Sequence, residues 1–519
     1  MVLAAVPPLN GGPYGPPVRW PCPANRTARL SSSSPSGGEL LAGTWTFQGD
    51  PLPLGWPPRW PTEYRSELWA YNLHYFDWAW VLEPADAARS TVRDLLQSWV
   101  EAYPVGSSPA WDPYPTSLRA WNLCGLDQAL GLCDPWFRDL LATHTRVIRA
   151  TLERDLGGNH LLADLKALVG LAVWFGDSAL LTKAVTQLAR EAGRQVLADG
   201  GHEERSPAYH ARVLADLLDV IELLNSAELP VPSTIDRAAS SLNAWLEVMT
   251  TPLGTLPHFN DGDAIPPSAL ANLRAGSDRR LPAGQGVGCT HLAASGFVVA
   301  RPRKDVYLAI DSGEPGPSHQ PGHSHAGVGS FELWVQGEQV LRNVGTSTYA
   351  PGPRRAFERS TAAHNTVTLD DQNQSDVWKS FRVGRSARVD TVVEVTPHGH
   401  RVEIVHDGFR TPTGTALHRR TFEINRRGLE IRDELLASNS TGDVATRYYT
   451  APGLPVTPRG KGCRLGPVTL SFDDAPAAAE LSVDRALLAT GFGQTAEARC
   501  AALRFRASLP VAWQTRIEW

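Results

Sequence analysis

The sequence predicts an α+β multidomain chain, an N-terminal array of helical hairpins followed by a C-terminal antiparallel β-sandwich. Apolar residues recur at helical spacing from Val81 to about Met249, and past residue 286 the period changes to two. Length sets the scale: 519 residues that are 42% hydrophobic supply core for two or three domains.

Residues 1–62 are rich in Pro, Gly and Ser (SSSSPSGGE) and read as an extended lead-in, with one strand-like patch at Thr44 to Gln48. Residues 63–285 form the helical domain. Its amphipathic segments include AARSTVRDLLQSWVEAY, PWFRDLLATHTRVIRATLERDL, HLLADLKALVGLAVWFG and SALLTKAVTQLAREAGRQVL, joined by Pro, Gly or Asp. Hairpins at such intervals without an exact repeat fit an α/α toroid as well as a solenoid. A loop-rich joint at about 251–290 precedes residues 286–519, the β domain. Its runs GFVVARP, DVYLAID, SFELWVQG, NTVTLDD, RVEIVHDG, RRTFEINRRGLEIRDEL, VTLSFDD and ALRFRASL alternate between polar and apolar in several places, as stacked sheets require.

Composition excludes several classes. The net charge is -5 and no basic domain or tail stands out, which argues against nucleic acid as a partner. Of the 49 basic residues 44 are arginine, a residue whose fork suits carboxylates and sulfates. The six cysteines (Cys22, Cys124, Cys133, Cys289, Cys463, Cys500) show no CxxC pair or disulfide framework and read mostly as buried thiols. No apolar run is long enough to span a membrane.

Three groups of polar residues invite a chemical reading. Asn159 and His160 follow Gly157-Gly158 where a helical pattern begins, near the positive end of a helix dipole, which favours a substrate carboxylate. The plainer alternative makes Asn159 an N-cap. Tyr209 lies four residues after Arg205, so in a continuous helix the two share a face and the cation favours the phenolate; a buried structural tyrosine is the alternative. His323 and His325 alternate in PGHSHAG, so on an extended segment both point to one side, able to serve a metal or a substrate.

These residues lie in four ordered motifs: LWAYNLHYFDW (68–78), GGNHLLADLKAL (157–168), DGGHEERSPAYH (199–210), and the long stretch from QPGHSHAG to SFRVG (320–384). Together they resemble the heparinase II/III-like polysaccharide lyases, relatives of alginate lyases of the same fold. The resemblance implies an α/α toroid joined to a β-sandwich, and β-elimination on an acidic, uronate-containing polysaccharide or oligosaccharide. Such a reaction needs the uronate carboxylate neutralised, the C5 proton removed and the departing O4 protonated. By resemblance Asn159 and His160 neutralise the carboxylate, Tyr209 is the general base, and His323 is its partner base or acid.

The resemblance also implies one structural Zn2+ held by His325, His364 and a residue at 343. Here the family's aspartate is replaced by Asn343, a poor zinc ligand, so hydrogen bonds are the competing means of holding the loop. Two more departures are Gly327, where the family has Asp, and Ala163, where it has Glu. Asp164 is adjacent but turned about 100° on a helix.

Aromatic and basic residues suggest a glycan groove: Trp69, Tyr71, His74 and Tyr75, then Arg119, Arg205, and Arg354, Arg355 and Arg359. Trp69 and Tyr75 read more readily as core, and Arg359 as a buried ion pair or site residue. A polysaccharide lyase is the leading reading. A non-catalytic glycan-binding or exopolysaccharide-assembly protein on the same fold is the alternative, and metal-dependent hydrolysis ranks last. The resemblance implies a periplasmic or secreted protein, whereas MVLAAVPPLNGGPYGPP lacks the basic n-region of a signal peptide and points to the cytoplasm.

Overall fold

The protein is described by a computed structural model over residues 19–21, 30, 35–82, 88–132, 134–275, 286–412, 414–437 and 439–519. It divides into a helical unit, Met1–Val196, Ala211–Asn243 and Ser268–Arg279, and a sheet unit, Leu197–His210, Ala244–Pro267 and Arg280–Trp519. Residues 1–18, 22–29 and 31–34 of the expected lead-in, together with Cys22 and Cys133, lie outside the described residues. The strand-like patch is β1 (Thr44–Phe47), paired antiparallel with β2 (Asp50–Pro53).

The helices start and stop where local chemistry directs. After α1 (Gly37–Leu41), α2 (Glu67–Tyr75) begins at Ser66, whose side chain accepts the Trp69 N–H. It is followed by α3 (Ala88–Ala102), α4 (Pro113–Leu130), α5 (Pro135–Ala150), α6 (Gly158–Phe175) and α7 (Ser178–Gln195). Both α4 and α5 carry Pro in the first turn, where its missing N–H costs nothing. The expected helical run through Leu156 stops at Ala150, and 151–156 are non-helical, with a turn at 154–156.

Gly157 (φ +66°) and Gly158 (φ +52°) take the left-handed bend that starts α6, a conformation open to glycine. All of α6 except His160 is buried, as expected of a helix apolar on most faces, and it packs against α4 and α7. Its one buried cation, Lys166, donates to Asp216 (2.7 Å) and Asp219 (2.6 Å). Those two carboxylates lie on α8 (Pro207–Ser226), which is followed by α9 (Ser233–Met249) and α10 (Pro267–Ala275). No helix among the described residues is long and apolar enough to cross a membrane.

In the sheet unit, β3 (Gly288–Leu292), β4 (Phe297–Arg301), β5 (Val306–Asp311), β6 (Phe331–Val335) and β7 (Glu338–Leu341) form an antiparallel meander. Every residue of β4, β5 and β6 is buried. Next come α11 (Pro353–Arg359), β8 (Val367–Leu369), and a short hairpin of β9 (Val377–Trp378) and β10 (Arg382–Val383). Then β11 (Val389–Thr396), β12 (Gly399–Thr411), β13 (Gly414–Asn425) and β14 (Gly428–Leu436) begin an eight-stranded sheet. β15 (Thr441–Tyr449) joins β8 in a four-stranded sheet. The larger sheet is completed by β16 (Val456–Arg459), β17 (Gly462–Leu465), β18 (Val468–Phe472) and β21 (Val511–Glu518), the smaller by β19 (Glu480–Gly491) and β20 (Gln494–Ser508). One core joins the inner faces, including Leu308, Phe331, Leu369, Phe422, Ile431, Leu503 and Trp513.

Candidate active site

In the sheet unit the polar residues converge on one carboxylate. Ser206 caps α8 by accepting the Tyr209 N–H (3.2 Å) and Pro207 occupies its first position, so Tyr209 lies in the first turn. The Tyr209 ring stacks on His323, with centroids 3.8 Å apart and planes 24° apart. Its hydroxyl lies 3.0 Å from that of Tyr349. His323 Nδ1 donates to Asp261 Oδ2 (3.1 Å), which leaves Nε2 as the basic nitrogen of the neutral ring. His325 Nε2 donates to the other oxygen of Asp261 (2.8 Å). The two alternating histidines thus meet on one carboxylate, although their segment is a turn and not a strand.

Arg355 completes the node, gripping both Asp261 oxygens. Burial works to raise the Asp261 pKa, but the Arg355 charge and the hydrogen bonds of His323, His325 and Arg355 hold it well below the usual carboxylate range. Arg355 also lies over the Tyr349 ring, 4.8 Å from its centroid. Burial, then the neighbouring Tyr209, raises the Tyr349 hydroxyl far above the ordinary phenol range, so Tyr349 keeps its proton. Asp261 and Tyr349 were not singled out from the sequence. The signal for Asp261 is faint: a short acidic stretch, FNDGDA, in the joint between helices and strands.

The histidine pair expected at a metal is present, but its expected third member is elsewhere. His325 Nδ1 and His364 Nε2 face each other at 3.4 Å, while His364 Nδ1 donates to Ser360 O (2.7 Å). Burial lowers His325 to about 4 and His364 to about 3, so both are neutral at neutral pH. Asn343 is spent on other partners: its Oδ1 accepts the Asn365 N–H (3.0 Å) and its Nδ2 donates to Ser330 (3.3 Å). Among the described residues no group of three His, Cys, Asp or Glu converges as a metal site. A carboxylate at position 327 is also missing, and a Cβ there would lie 2.7 Å from the His364 ring. Two nitrogens without a third protein donor do not fit a closed zinc site, and the loop is instead tied by Asn343 and Asp261.

In the helical unit, Asn159 is not the N-cap, a place taken by Gly157; it sits buried in the first turn of α6. His160 is partly exposed and its Nδ1 lies 3.1 Å from both oxygens of Glu153. Its ring packs on Tyr114, centroids 4.3 Å apart. Asp164 fastens this arrangement, accepting from Glu153 N (2.9 Å) and Ser117 Oγ (2.6 Å). Burial, and next the Glu153 charge, raise Asp164 to about 7. The carboxylate beside His160 is that of Glu153, in the non-helical segment after α5, where a longer helix was expected.

Several expected groove residues are core. Trp69 donates its indole N–H to Asp50 O (2.9 Å) and is fully buried. His74 accepts from Trp99 (3.1 Å), and burial, then the Arg119 charge, lowers it to about 3. Arg119 donates to His144 and to the carbonyls of His74 and Ala110 and stacks on Trp99 at 4.2 Å, leaving no face for a substrate. Among the described residues Arg359 forms no ion pair; it donates to the carbonyls of Ser324, Trp378, Lys379 and Arg382. Arg205 shares no helical face with Tyr209: it precedes α8 in a left-handed conformation (φ +53°) and donates to Glu314 O. Tyr71 bonds Asp112 (3.1 Å) and packs with Tyr75, Tyr114 and Ala163, beside His160's ring partner. Cys124, Cys463 and Cys500 are buried thiols, as expected, while Cys289 is half-buried.

Known proteins give this geometry a context. Residues 137–278 match the model described as heparinase II/III N-terminus, and residues 285–509 the model for heparinase II/III-like, C-terminal. The chain is 27% identical over 470 residues to FtsZ-localized protein C of Caulobacter vibrioides (strain NA1000 / CB15N), covering 86% of this chain and 78% of that one. It is 25% identical over 303 residues to heparin-sulfate lyase of Bacteroides stercoris, covering 51% of this chain and 44% of the relative. Among solved structures, heparinase III is similar with a TM-score of 0.75 at 15% identity, over 88% of this chain and 78% of that one. A chondroitinase AC lyase–oligosaccharide complex is similar at 0.54 and 11% identity, over 87% and 76%. The fold is that of these lyases, an α/α toroid followed by β-sandwich sheets, and the chain belongs to the heparinase II/III-like family.

Proposed function

We propose that this protein is a polysaccharide lyase that cleaves a uronate-containing polysaccharide by β-elimination. The observation that carries the reading is the Tyr209–His323 stack on the charge-balanced Asp261–Arg355 pair. Tyr209 removes the C5 proton. Tyr349, which keeps its own proton, donates a hydrogen bond to the Tyr209 phenolate before that group takes the C5 proton; the phenol so formed returns a proton to the departing O4, and His323 serves as partner base or acid. Asn159 and His160 neutralise the uronate carboxylate, His160 being held by Glu153. None of these steps requires a metal.

A second reading has two specific observations behind it. The relative at 27% identity carries a name that denotes localisation with FtsZ and no enzyme activity, and positions 163, 327 and 343 depart from the lyase pattern. On that reading the chain is a glycan-binding or assembly protein without turnover. Incubation with alginate, heparan sulfate, hyaluronan, chondroitin and bacterial exopolysaccharides, following the ultraviolet absorbance of the new C4=C5 bond, separates the two. A rise with at least one acidic glycan is expected; silence across the panel favours the second reading.

A further inference from the structure

The hairpin of β9 and β10 carries chemistry that the proton-transfer residues do not use. Trp378 is 50% exposed and Phe381, in the turn, is 41% exposed. Trp378 pairs directly with Arg382 across the hairpin, so both side chains leave the same face. Lys379, at the tip with φ +48°, holds its ammonium 5.5 Å over the Trp378 ring. Both cations are exposed, and neither has a carboxylate partner among the described residues.

Such a tip would ordinarily be loosely held, yet this one is fastened to the active site. Arg355 donates to Ser380 O through Nε (3.1 Å) and Nη2 (2.6 Å), and Arg359 Nη1 donates to the carbonyls of Trp378 (3.4 Å), Lys379 (3.2 Å) and Arg382 (3.2 Å). The same two buried arginines bind Asp261 and the Ser324 carbonyl beside His323. Phe381 bridges the gap, its ring centroid 6.2 Å from His323 and 5.2 Å from Tyr349. The outcome is an exposed indole flanked by two cations, held in fixed register with His323.

We infer that this hairpin is a sugar-binding subsite for an anionic pyranose, with Trp378 stacked on the ring face and Arg382 and Lys379 holding its carboxylate or sulfate. A planar aromatic suits the C–H face of a pyranose, and paired cations select an acidic ring over a neutral one. The inference rests on the lyase reading for its place beside the reacting bond, but its test does not.

Binding is measured by calorimetry on the Tyr209→Phe protein, which separates affinity from turnover. The probes are heparosan oligosaccharides, bearing carboxylates alone, heparan sulfate oligosaccharides, bearing sulfates as well, and neutral chitin oligosaccharides. Trp378→Ala should weaken binding of an acidic probe at least tenfold, and Trp378→Phe should restore it to within threefold. Lys379→Ala with Arg382→Ala should cost at least fivefold and flatten the salt dependence. A larger loss on heparan sulfate than on heparosan assigns the cations to sulfate; equal losses assign them to the carboxylate. Neutral chitin should bind at least tenfold more weakly than the acidic probes. Unchanged affinity in the Trp378→Ala and double-cation variants, both folded by circular dichroism, overturns the subsite whatever the turnover. Trp378-dependent binding in a wild-type protein that eliminates no glycan would sink the lyase reading and leave the subsite standing.

Discussion

The polar clusters around Asp261 and around His160 are built on opposite electrostatic plans. Around Asp261 in the sheet unit, one buried carboxylate is matched by a guanidinium and two imidazole N–H groups, so its charge is fixed. Around His160 in the helical unit, Glu153 and Asp164 crowd two carboxyls against one partly exposed histidine. Burial and that crowding lift Asp164 to about 7, so this cluster changes charge near neutrality. On the proposed reading, the first plan suits proton transfer and the second suits contact with a substrate anion.

If the Asp261 node is rigid because its charges balance, removing the carboxylate should do the greatest damage. Asp261→Ala leaves Arg355 buried without its counter-ion, and a loss of about 3–5 kcal/mol in denaturant unfolding is expected. A loss below about 1 kcal/mol would mean that the node is not charge-balanced in this way. Glu153→Gln should leave folding intact but lower kcat roughly tenfold through misplacement of His160, with a shifted pH profile. An unchanged pH profile would reduce Glu153 to packing.

The smallest expected effect concerns Asp164. Its folded pKa is raised above the unfolded value near 4, so its stabilising contribution is full below pH 4 and is lost as pH rises through about 7. Asp164→Asn should therefore gain stability relative to wild type as pH rises from 5 to 8, read as the difference in Tm. A constant difference over that range would show that Asp164 titrates normally.

What the sequence disclosed follows from how locally each feature is encoded. The start of α6 was legible because Gly157-Gly158 and the apolar spacing after them suffice, and β4 to β6 were legible as short, mostly apolar runs of strand length. Burial of polar residues was not. Arg119, His74 and Arg359 look like groove residues by type, yet each satisfies its hydrogen bonds with backbone carbonyls or neighbouring side chains brought in by the fold. The four-residue spacing of Arg205 and Tyr209 does not place them on one helical face, because Ser206 and Pro207 start the helix after Arg205. Asp261 was invisible for a related reason: its partners His323, His325 and Arg355 are more than sixty residues away, and no local pattern marks a carboxylate that tertiary structure will place beneath them.

The most direct test of the central claim is single-turnover elimination by Tyr209→Phe on whichever acidic glycan the wild type cleaves. Loss of a general base should lower the rate about 10²–10⁴-fold. Affinity should stay within a few fold, since the ring stack on His323 persists. A variant that eliminates at the wild-type rate would contradict the assignment of Tyr209 as the base.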